Sequence, residues 1–264
     1  MEKTNSEVLL EKKEGKVALV AFNRPDRLNP LTTRIKQELV AAIQEADHDD
    51  SINVIILTGM GRAFCAGGDI DRLSRTASGQ LQPTEPYGVE HTGKWAVDIA
   101  RAEKPIVAAI NGVTAGAGIS ISLLCDIRIA SDKSKFIAAW TRIGLVPDIG
   151  ATYLLPRVIG AGKALELFYS AGDIDVQEAY RLGIVNKVVP HDKLMDEVME
   201  IALRIAKGPQ TALRLTKRAV FQDIIGKLSA RIDLEAAMQN ICFASEDHRE
   251  GAEAFLEKRE AHFK

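Results

Sequence analysis

Cysteine is scarce in this sequence, and no segment carries an excess of one charge. The cysteines Cys65, Cys125 and Cys242 stand far apart in 264 residues and lack the C-x-x-C spacing of zinc sites. We therefore expect neither disulfides nor a metal site. The net charge is −2, with 34 basic and 36 acidic residues mixed along the chain, which predicts no nucleic-acid partner. The N-terminal segment lacks the long apolar core of a signal peptide, so we expect a cytoplasmic protein.

Long hydrophobic runs are also lacking, with one apparent exception. Between Lys104 and Asp126 lie 21 uncharged residues, which is the length of a membrane span. Pro105 opens this stretch, and three glycines and four polar residues interrupt it. We therefore predict a buried strand over 106–110, a glycine-rich turn and a helix that starts near Ala117, and we expect no contact with membranes.

Two glycine-rich turns follow predicted strands. The first, in GMGRAFCAGGDI, comes after the strand at 54–57, and the second comes after the strand at 106–110. The first N–H groups of a helix have no intrahelical partner and lie at the positive end of its dipole. Small residues also let a substrate approach the backbone. Two such turns that converge on one oxygen would form an oxyanion hole.

Four motifs occur in the order typical of one family. They are GRAFCAGGDI, AAINGVTAGAG, FIAAWTRIGLVPDIGATYLLPRVIG and EGAEAFLEKR. From about residue 17 to residue 264 the chain resembles the crotonase family, also called the enoyl-CoA hydratase/isomerase superfamily. The resemblance implies an α/β fold, with a spiral of ββα units over 1–206 and a helical oligomerisation region over 207–264. It also implies a homotrimer, often stacked into a hexamer.

The resemblance further implies the ligand and its contacts. The substrate would be an acyl-CoA thioester, with coenzyme A as part of the substrate and no separate cofactor. The enolate-like intermediate would be held by the N–H groups of Gly68 and Ala117. Trp140 and the segment 74–93 would shape the acyl pocket. The residues carried over as coenzyme contacts are Arg27, Leu28, Ala66, Gly68, Asp69, Ile70 and, toward a neighbouring subunit, Phe255 and Lys258.

Several of these residues have simpler interpretations. Arg27 and Lys258 could be solvated charges, and Phe255 could belong to the core of its own chain. Asp69 could be a helix cap. These alternatives stay open at the level of the sequence.

The acid–base residues depart from the hydratase pattern. Hydratases of this family use two glutamates, and the matching positions are Ser120 and Trp140, neither of which can replace a carboxylate. Asp148, in LVPDIG, is the acid that stands where the site should be, among apolar neighbours. From the residues alone Asp148 is better interpreted as a helix N-cap, whereas the resemblance favours a catalytic role.

Two subfamilies carry an aspartate at this place. The first contains enoyl-CoA isomerases, including ring-opening isomerases of phenylacetate breakdown, and its motif closely matches 144–157. The second contains 4-chlorobenzoyl-CoA dehalogenases, which share the spacing of Trp140 and Asp148 but also require a histidine. The position that matches this histidine is Gly93, and His91 lies two residues away. We predict an isomerase with Asp148 as acid/base, and keep hydration and dehalogenation as alternatives.

A non-catalytic role is a further alternative. Some members of the family that this chain resembles bind RNA, and Arg214, Lys217 and Arg218 fall on one helical face here. Such a cluster is more typical of a solvated face, and no aromatic residues alternate with it. A trimer that binds acyl-CoA without turnover is a further alternative.

For the C-terminal region the periodicity predicts three helices, over 211–221, 228–244 and 247–259.

Overall fold

The computed structural model describes residues 6–69 and 93–264. Its larger sheet has six strands in the order β1-β2-β4-β7-β9-β12. β1 and β2 pair antiparallel, and the other neighbours pair parallel. Long aliphatic runs form these parallel strands because both faces of the sheet are covered. The strands are β1 (Val8–Lys13), β2 (Val17–Phe22), β4 (Val54–Gly59), β7 (Ile106–Ile110), β9 (Ile127–Ser131) and β12 (Lys187–Val189).

A smaller sheet has four strands in the order β11-β10-β8-β5. Its strands are β5 (Ala63–Cys65), β8 (Val113–Ala115), β10 (Lys135–Ile137) and β11 (Asp173–Asp175). Two further short strands, β3 (Pro30–Leu31) and β6 (Gly67–Gly68), pair parallel with each other. Three successive strand pairs each add their first strand to the larger sheet and their second to the smaller one. These pairs are β4 and β5, β7 and β8, and β9 and β10. This repetition produces the predicted ββα spiral.

Helices cover the larger sheet and build the C-terminal region. Thr32 caps the first helix by accepting a hydrogen bond from Ile35 N at 3.0 Å. The helices are α1 (Thr33–His48), α2 (Trp95–Ala100), α3 (Ala117–Leu123), α4 (Ala151–Ile159), α5 (Ala161–Ser170), α6 (Val176–Arg181), α7 (Leu194–Ala206), α8 (Gln210–Phe243) and α9 (Glu246–Glu257).

The two faces of the larger sheet lie in separate apolar clusters. Alternate residues of β4 show this division, because Ile55 and Leu57 belong to the cluster that contains α1, whereas Val54 and Ile56 pack with α7. All four of these side chains have no exposed surface. The sheet is therefore a rigid base for the loops that leave its strands.

The predicted break in the C-terminal helices, between 221 and 228, is wrong. α8 runs without interruption for 34 residues. Gly226 lies in its middle, and a glycine inside a helix costs only about 1 kcal/mol relative to alanine. Burial of Leu228 and Ile232, both fully buried, stabilises the helix beyond that point. The predicted boundary between the spiral core and the C-terminal region, at 206/207, falls between α7 and α8 and stays a prediction.

In the ranges 6–69 and 93–264, no helix is both long and apolar enough to cross a membrane.

Candidate active site

The two glycine-rich turns pack directly against each other. A Cβ atom on Gly118 would lie 2.3 Å from the carbonyl oxygen of Cys65. A Cβ atom on Gly67 would lie 2.6 Å from the carbonyl oxygen of Ala115 and 3.4 Å from the backbone nitrogen of Ala117. The two turns approach this closely only because both contact positions lack side chains.

Gly67→Ala is expected to destabilise the protein by about 2–4 kcal/mol, because a methyl group would separate the turns. The φ angle of Gly67 is also +85°, which disfavours alanine. Urea unfolding measures the change. Gly162→Ala in α5 is the matched control, since no atom of the described residues beyond its chain neighbours and its own helix backbone lies within 4 Å of its Cβ position. Equal stability of the two variants would contradict the close packing.

The predicted oxyanion donors belong to these adjacent turns. Ala117 is the first residue of α3, so its N–H group has no partner inside that helix. Gly68 ends β6 and is exposed. Among the described residues, and apart from its two chain neighbours, no atom lies within 4 Å of a Cβ position at Gly68. The structure thus brings the two predicted donors to neighbouring turns and leaves room beside Gly68.

Asp148 lies in the loop between a 3-10 turn and α4, and two elements hold it. Its Oδ1 accepts a hydrogen bond from Trp140 Nε1 at 2.9 Å. Its backbone carbonyl accepts one from Ser120 Oγ at 2.8 Å. The N-cap of α4 is Gly150, without a side-chain capping bond. The interpretation of Asp148 as an N-cap is therefore wrong.

The backbone beside Asp148 is strained. Ile149 has a φ angle of 57°, in the left-handed region that β-branched residues avoid. Such conformations persist only where the surroundings determine them, and they are common at functional sites. The loop around Asp148 is therefore held in place by its contacts.

Trp140 connects the Asp148 loop to the second glycine-rich turn. Its side chain is buried and packs edge-on against Phe168, with 5.7 Å between ring centroids. A Cβ atom on Gly116 would lie 3.8 Å from Trp140 Nε1. The indole therefore lies between Asp148 and the residue that precedes Ala117.

Some of the predicted coenzyme contacts lie together beside the first turn. The carbonyl oxygen of Leu28 accepts a hydrogen bond from Ala66 N at 3.0 Å. The buried side chain of Asn29 donates to the carbonyl oxygens of Met60, at 3.0 Å, and Ala63, at 2.8 Å. These bonds fix the loop at 27–29 against the segment that leads to Gly68.

The remaining coenzyme contacts lie apart or outside the described ranges. Arg27 is exposed at the end of a 3-10 turn, and Asp69 directly follows β6. Ile70 lies outside the described residues. Phe255, which is 47% exposed, and Lys258 lie at the end of α9, and no described contact joins them to Asp148.

A dehalogenase needs a histidine near the aspartate, and this chain has no histidine at the matching position. Gly93 stands at the matching position, and a Cβ atom there would lie 3.6 Å from Ile149 Cα. The position is therefore close to the Asp148 loop but has no side chain. His91 and residues 74–92 lie outside the described residues.

The basic cluster of the RNA-binding alternative is largely neutralised. Lys217 Nζ lies 2.9 Å from Asp126 Oδ2, and the Lys217 side chain is only 9% exposed. Arg218 pairs with Glu103. These two cations are thus engaged within the chain.

Sequence reasoning missed Glu235 on α8. Its carboxylate is buried and accepts hydrogen bonds from Gly150 N at 2.7 Å and Thr152 N at 2.9 Å. Burial raises the pKa of Glu235 to about 7, although these hydrogen bonds lower it, and the charge of Asp148 raises it further. The sequence does contain a signal for its burial, because Glu235 continues the helical spacing of the apolar residues Leu228 and Ile232.

Comparison with known proteins identifies the family of this chain. The sequence profile of the family described as "Enoyl-CoA hydratase/isomerase" matches residues 12–264. The chain belongs to the enoyl-CoA hydratase/isomerase family. The predicted family and the prediction of an enzyme are thereby confirmed. Within the described ranges, no group of three or more His, Cys, Asp or Glu side chains could hold a metal ion.

Individual relatives in this enoyl-CoA hydratase/isomerase family carry different activities in their names. A crotonyl-CoA hydratase of Syntrophomonas wolfei is 37% identical over 97% of each chain. A 1,2-epoxyphenylacetyl-CoA isomerase of Escherichia coli is 35% identical over 97% of this chain and 98% of its own. The similarities to a hydratase and to an isomerase are nearly equal.

The predicted fold is also confirmed by solved structures. An enoyl-CoA hydratase/isomerase from Pseudoalteromonas atlantica T6c has a TM-score of 0.88 and 29% identity, over 98% of this chain and 100% of its own. An enoyl-CoA hydratase from Mycobacterium avium subsp. paratuberculosis K-10 has a TM-score of 0.85 and 30% identity, over 98% and 99%. The chain has the crotonase fold.

Proposed function

We propose that this protein is an enoyl-CoA isomerase that shifts a double bond in an acyl-CoA thioester, with Asp148 as acid/base. One observation carries the proposal. Ser120 and Trp140 occupy the positions where the hydratase pattern has glutamates, and both donate hydrogen bonds to Asp148. Among the described residues, these two positions thus hold Asp148, Ser120 at its backbone carbonyl and Trp140 at its carboxylate. A double-bond shift needs only one base.

The reaction moves one proton and leaves the substrate otherwise intact. The Asp148 carboxylate takes a proton from the α-carbon of a 3-enoyl thioester, and the electron pair moves to the thioester oxygen. The N–H groups of Gly68 and Ala117 stabilise the resulting dienolate. Asp148 then returns the proton to the carbon two positions further along the chain, which gives the conjugated 2-enoyl thioester.

Hydration is the second candidate, and the similarity to a crotonyl-CoA hydratase favours it. Hydration needs a group that activates water in addition to one that protonates carbon. Glu235 is an additional carboxylate that contacts the segment after Asp148, but it accepts three hydrogen bonds from Gly150 and Thr152. Dehalogenation keeps the pairing of Trp140 with Asp148, but Gly93 supplies no imidazole.

Ultraviolet absorbance at the conjugated enoyl-thioester band separates these candidates. A 3-enoyl-CoA is expected to give a rise in absorbance, whereas a 2-enoyl-CoA is expected to give little change. A fall with the 2-enoyl-CoA that persists in Asp148→Ala would establish hydration through other groups. No change with either substrate would lead to tests of aromatic acyl-CoAs, and binding without turnover would support a non-catalytic role.

Trp140→Phe is expected to lower kcat about tenfold with little change in KM. Phenylalanine preserves the packing against Phe168 but removes the N–H group that orients Asp148 Oδ1. Steady-state rates with a 3-enoyl-CoA measure the effect. Trp95→Phe, on α2, is the matched control and should retain the rate. A tenfold rise in KM at constant kcat would assign Trp140 to substrate binding instead.

The protein is further proposed to form a homotrimer or hexamer through its C-terminal helices. Three exposed apolar side chains at helical spacing on α8 support this proposal. They are Leu234 (44% exposed), Met238 (44%) and Ile241 (73%). Light scattering coupled to size exclusion gives the mass directly, and a monomer at micromolar concentration would contradict the proposal.

A further inference from the structure

One helix holds both ends of the loop that carries Asp148. We define the Asp148 loop as residues 144–150. Before Asp148, the backbone nitrogen of Val146 donates to Gln239 Oε1 at 3.0 Å. After Asp148, the backbone nitrogen of Gly150 donates to Glu235 Oε2 at 2.7 Å. Glu235 and Gln239 are four residues apart on α8 and therefore project from the same face.

Glu235 and Gln239 occupy positions where apolar residues would be expected. The buried stripe of α8 consists of Leu228, Ile232, Glu235 and Gln239, and it continues the helical period. A buried carboxylate is costly unless hydrogen bonds satisfy it. The residue Glu235 is only 2% exposed, and Thr152 donates to its carboxylate through both the N–H and the hydroxyl group. Two polar side chains at these buried positions point to a need for acceptors at the loop.

The contacts of Glu235 lead directly to the proposed base. Gly150 is two residues from Asp148, and the strained residue Ile149 lies between them. Once Gly150 is held, the left-handed conformation of Ile149 determines where the Asp148 backbone lies. Ser120 and Trp140 also hold the carbonyl group and the side chain of Asp148, respectively.

We infer that Glu235 is a positioning residue for Asp148, which it holds in place through the backbone N–H groups of Gly150 and Thr152. Gln239 serves the same purpose at the other end of the loop. The inference rests on the proposed function, in which Asp148 is the acid/base. It assigns a role in catalysis to the C-terminal helix in addition to its proposed role in assembly.

The ionisation of Glu235 gives this role a measurable signature. Burial raises the pKa of Glu235 to about 7, and the charge of Asp148 contributes to the rise. Above pH 7 the carboxylate can accept all three hydrogen bonds. Below pH 7 the carboxyl group gains a proton that competes with one of the donors. The Asp148 loop is therefore held more firmly as the pH rises through about 7.

Several other charged groups on α8 and α4 have contacts of their own, and His248, on α9, donates from Nδ1 to the carbonyl oxygen of Ile143 at 2.8 Å. Asp233, on α8, lies 3.1 Å from Lys94 Nζ. The guanidinium carbon of Arg157 lies 3.3 Å from the ring centroid of Tyr153, and that of Arg231 lies 6.0 Å from the same centroid. The charge of Asp148 is one cause that raises the pKa of Glu235.

The test compares pH–rate profiles for isomerisation of 3-hexenoyl-CoA by the full-length chain. The wild-type kcat should show an inflection near pH 7. Glu235→Gln should abolish this inflection and lower kcat at pH 8 about 10- to 100-fold, with KM changed less than about threefold. Asp233→Asn makes the same chemical change on the same helix, at an exposed pair, and should leave the profile unchanged.

A second variant keeps the charge of Glu235 and shifts its titration. The hydrogen bond from the Thr152 hydroxyl lowers the pKa of Glu235, so Thr152→Val should move the inflection to higher pH. Thr152→Ser retains a hydroxyl group and should restore the wild-type profile. This pair decides the question if Glu235→Gln does not fold, which thermal unfolding reports.

The outcomes distinguish this inference from the proposed function. Loss of activity in Asp148→Asn, combined with a wild-type rate and inflection in Glu235→Gln, would overturn the role of Glu235 alone. Full activity in Asp148→Asn would overturn the proposed function. If the inflection stays at the same pH in Thr152→Val, another group titrates near pH 7 and the inference is overturned.

Discussion

Asp148→Asn is expected to lower kcat for isomerisation of a 3-enoyl-CoA by about 10²- to 10⁴-fold, the range for loss of a general base. Asparagine has nearly the same shape, and its Oδ1 can still accept the hydrogen bond from Trp140 Nε1. It cannot take up the substrate proton. Stopped-flow absorbance at the conjugated enoyl band measures the rate, and binding of a saturated acyl-CoA should be unchanged.

The Asp148→Asn result needs a control for loop disruption. Asp175→Asn provides a matched change, because Asp175 caps α6 at an exposed position, where its Oδ1 accepts a hydrogen bond from Gln177 N at 2.8 Å. This variant should lose some stability but keep its rate. If Asp148→Asn retained more than about a tenth of the wild-type kcat, the principal base would have to be another group.

Ala117→Pro is expected to lower kcat about 10²- to 10³-fold, the usual cost of losing one oxyanion donor. Proline removes the N–H group of Ala117, which is the proposed donor to the thioester oxygen. The fold should persist because proline is well tolerated at the first position of a helix. Rates with a 3-enoyl-CoA and the circular dichroism spectrum provide the comparison.

The same substitution at another helix start separates the lost donor from the added ring. Ala161 is the first residue of α5 and is exposed, so Ala161→Pro should affect neither the rate nor the fold. A wild-type rate in Ala117→Pro would mean that the thioester oxygen is bound elsewhere. Equal losses in both variants would indicate a general structural effect.

Local patterns in the sequence predict much of the framework. α1 buries Ile35, Leu39 and Ile43, as their helical spacing predicts. The second glycine-rich turn is followed by a helix at Ala117, as predicted. These features depend on neighbours within a few residues, and such neighbours are visible in the sequence.

Contacts between distant segments could not be predicted in the same way. Glu235 and Gly150 are 85 residues apart, and Ser120 and Asp148 are 28 apart. A helical period shows which face of α8 is buried but not which loop lies against it. The sequence could therefore indicate Asp148 through a family resemblance, whereas the groups that hold Asp148 became visible only in three dimensions.

The length of α8 was mispredicted for a related reason. Gly226 and the polar residues around it weaken the local helical signal. The continuation depends on Leu228 and Ile232, which are buried against the rest of the chain. Tertiary packing thus overrides a weak local preference, as is common in long helices.

Two different faces of α8 have a consequence for how activity depends on dilution. Leu234 and Met238 face outward, and Glu235 and Gln239 hold the Asp148 loop from the inner face. In an oligomer built on the outer face, subunit association would brace the same helix that aligns the base. Dissociation would then relax this alignment in an intact, folded subunit. Specific activity would therefore fall as the protein is diluted, before any unfolding occurs.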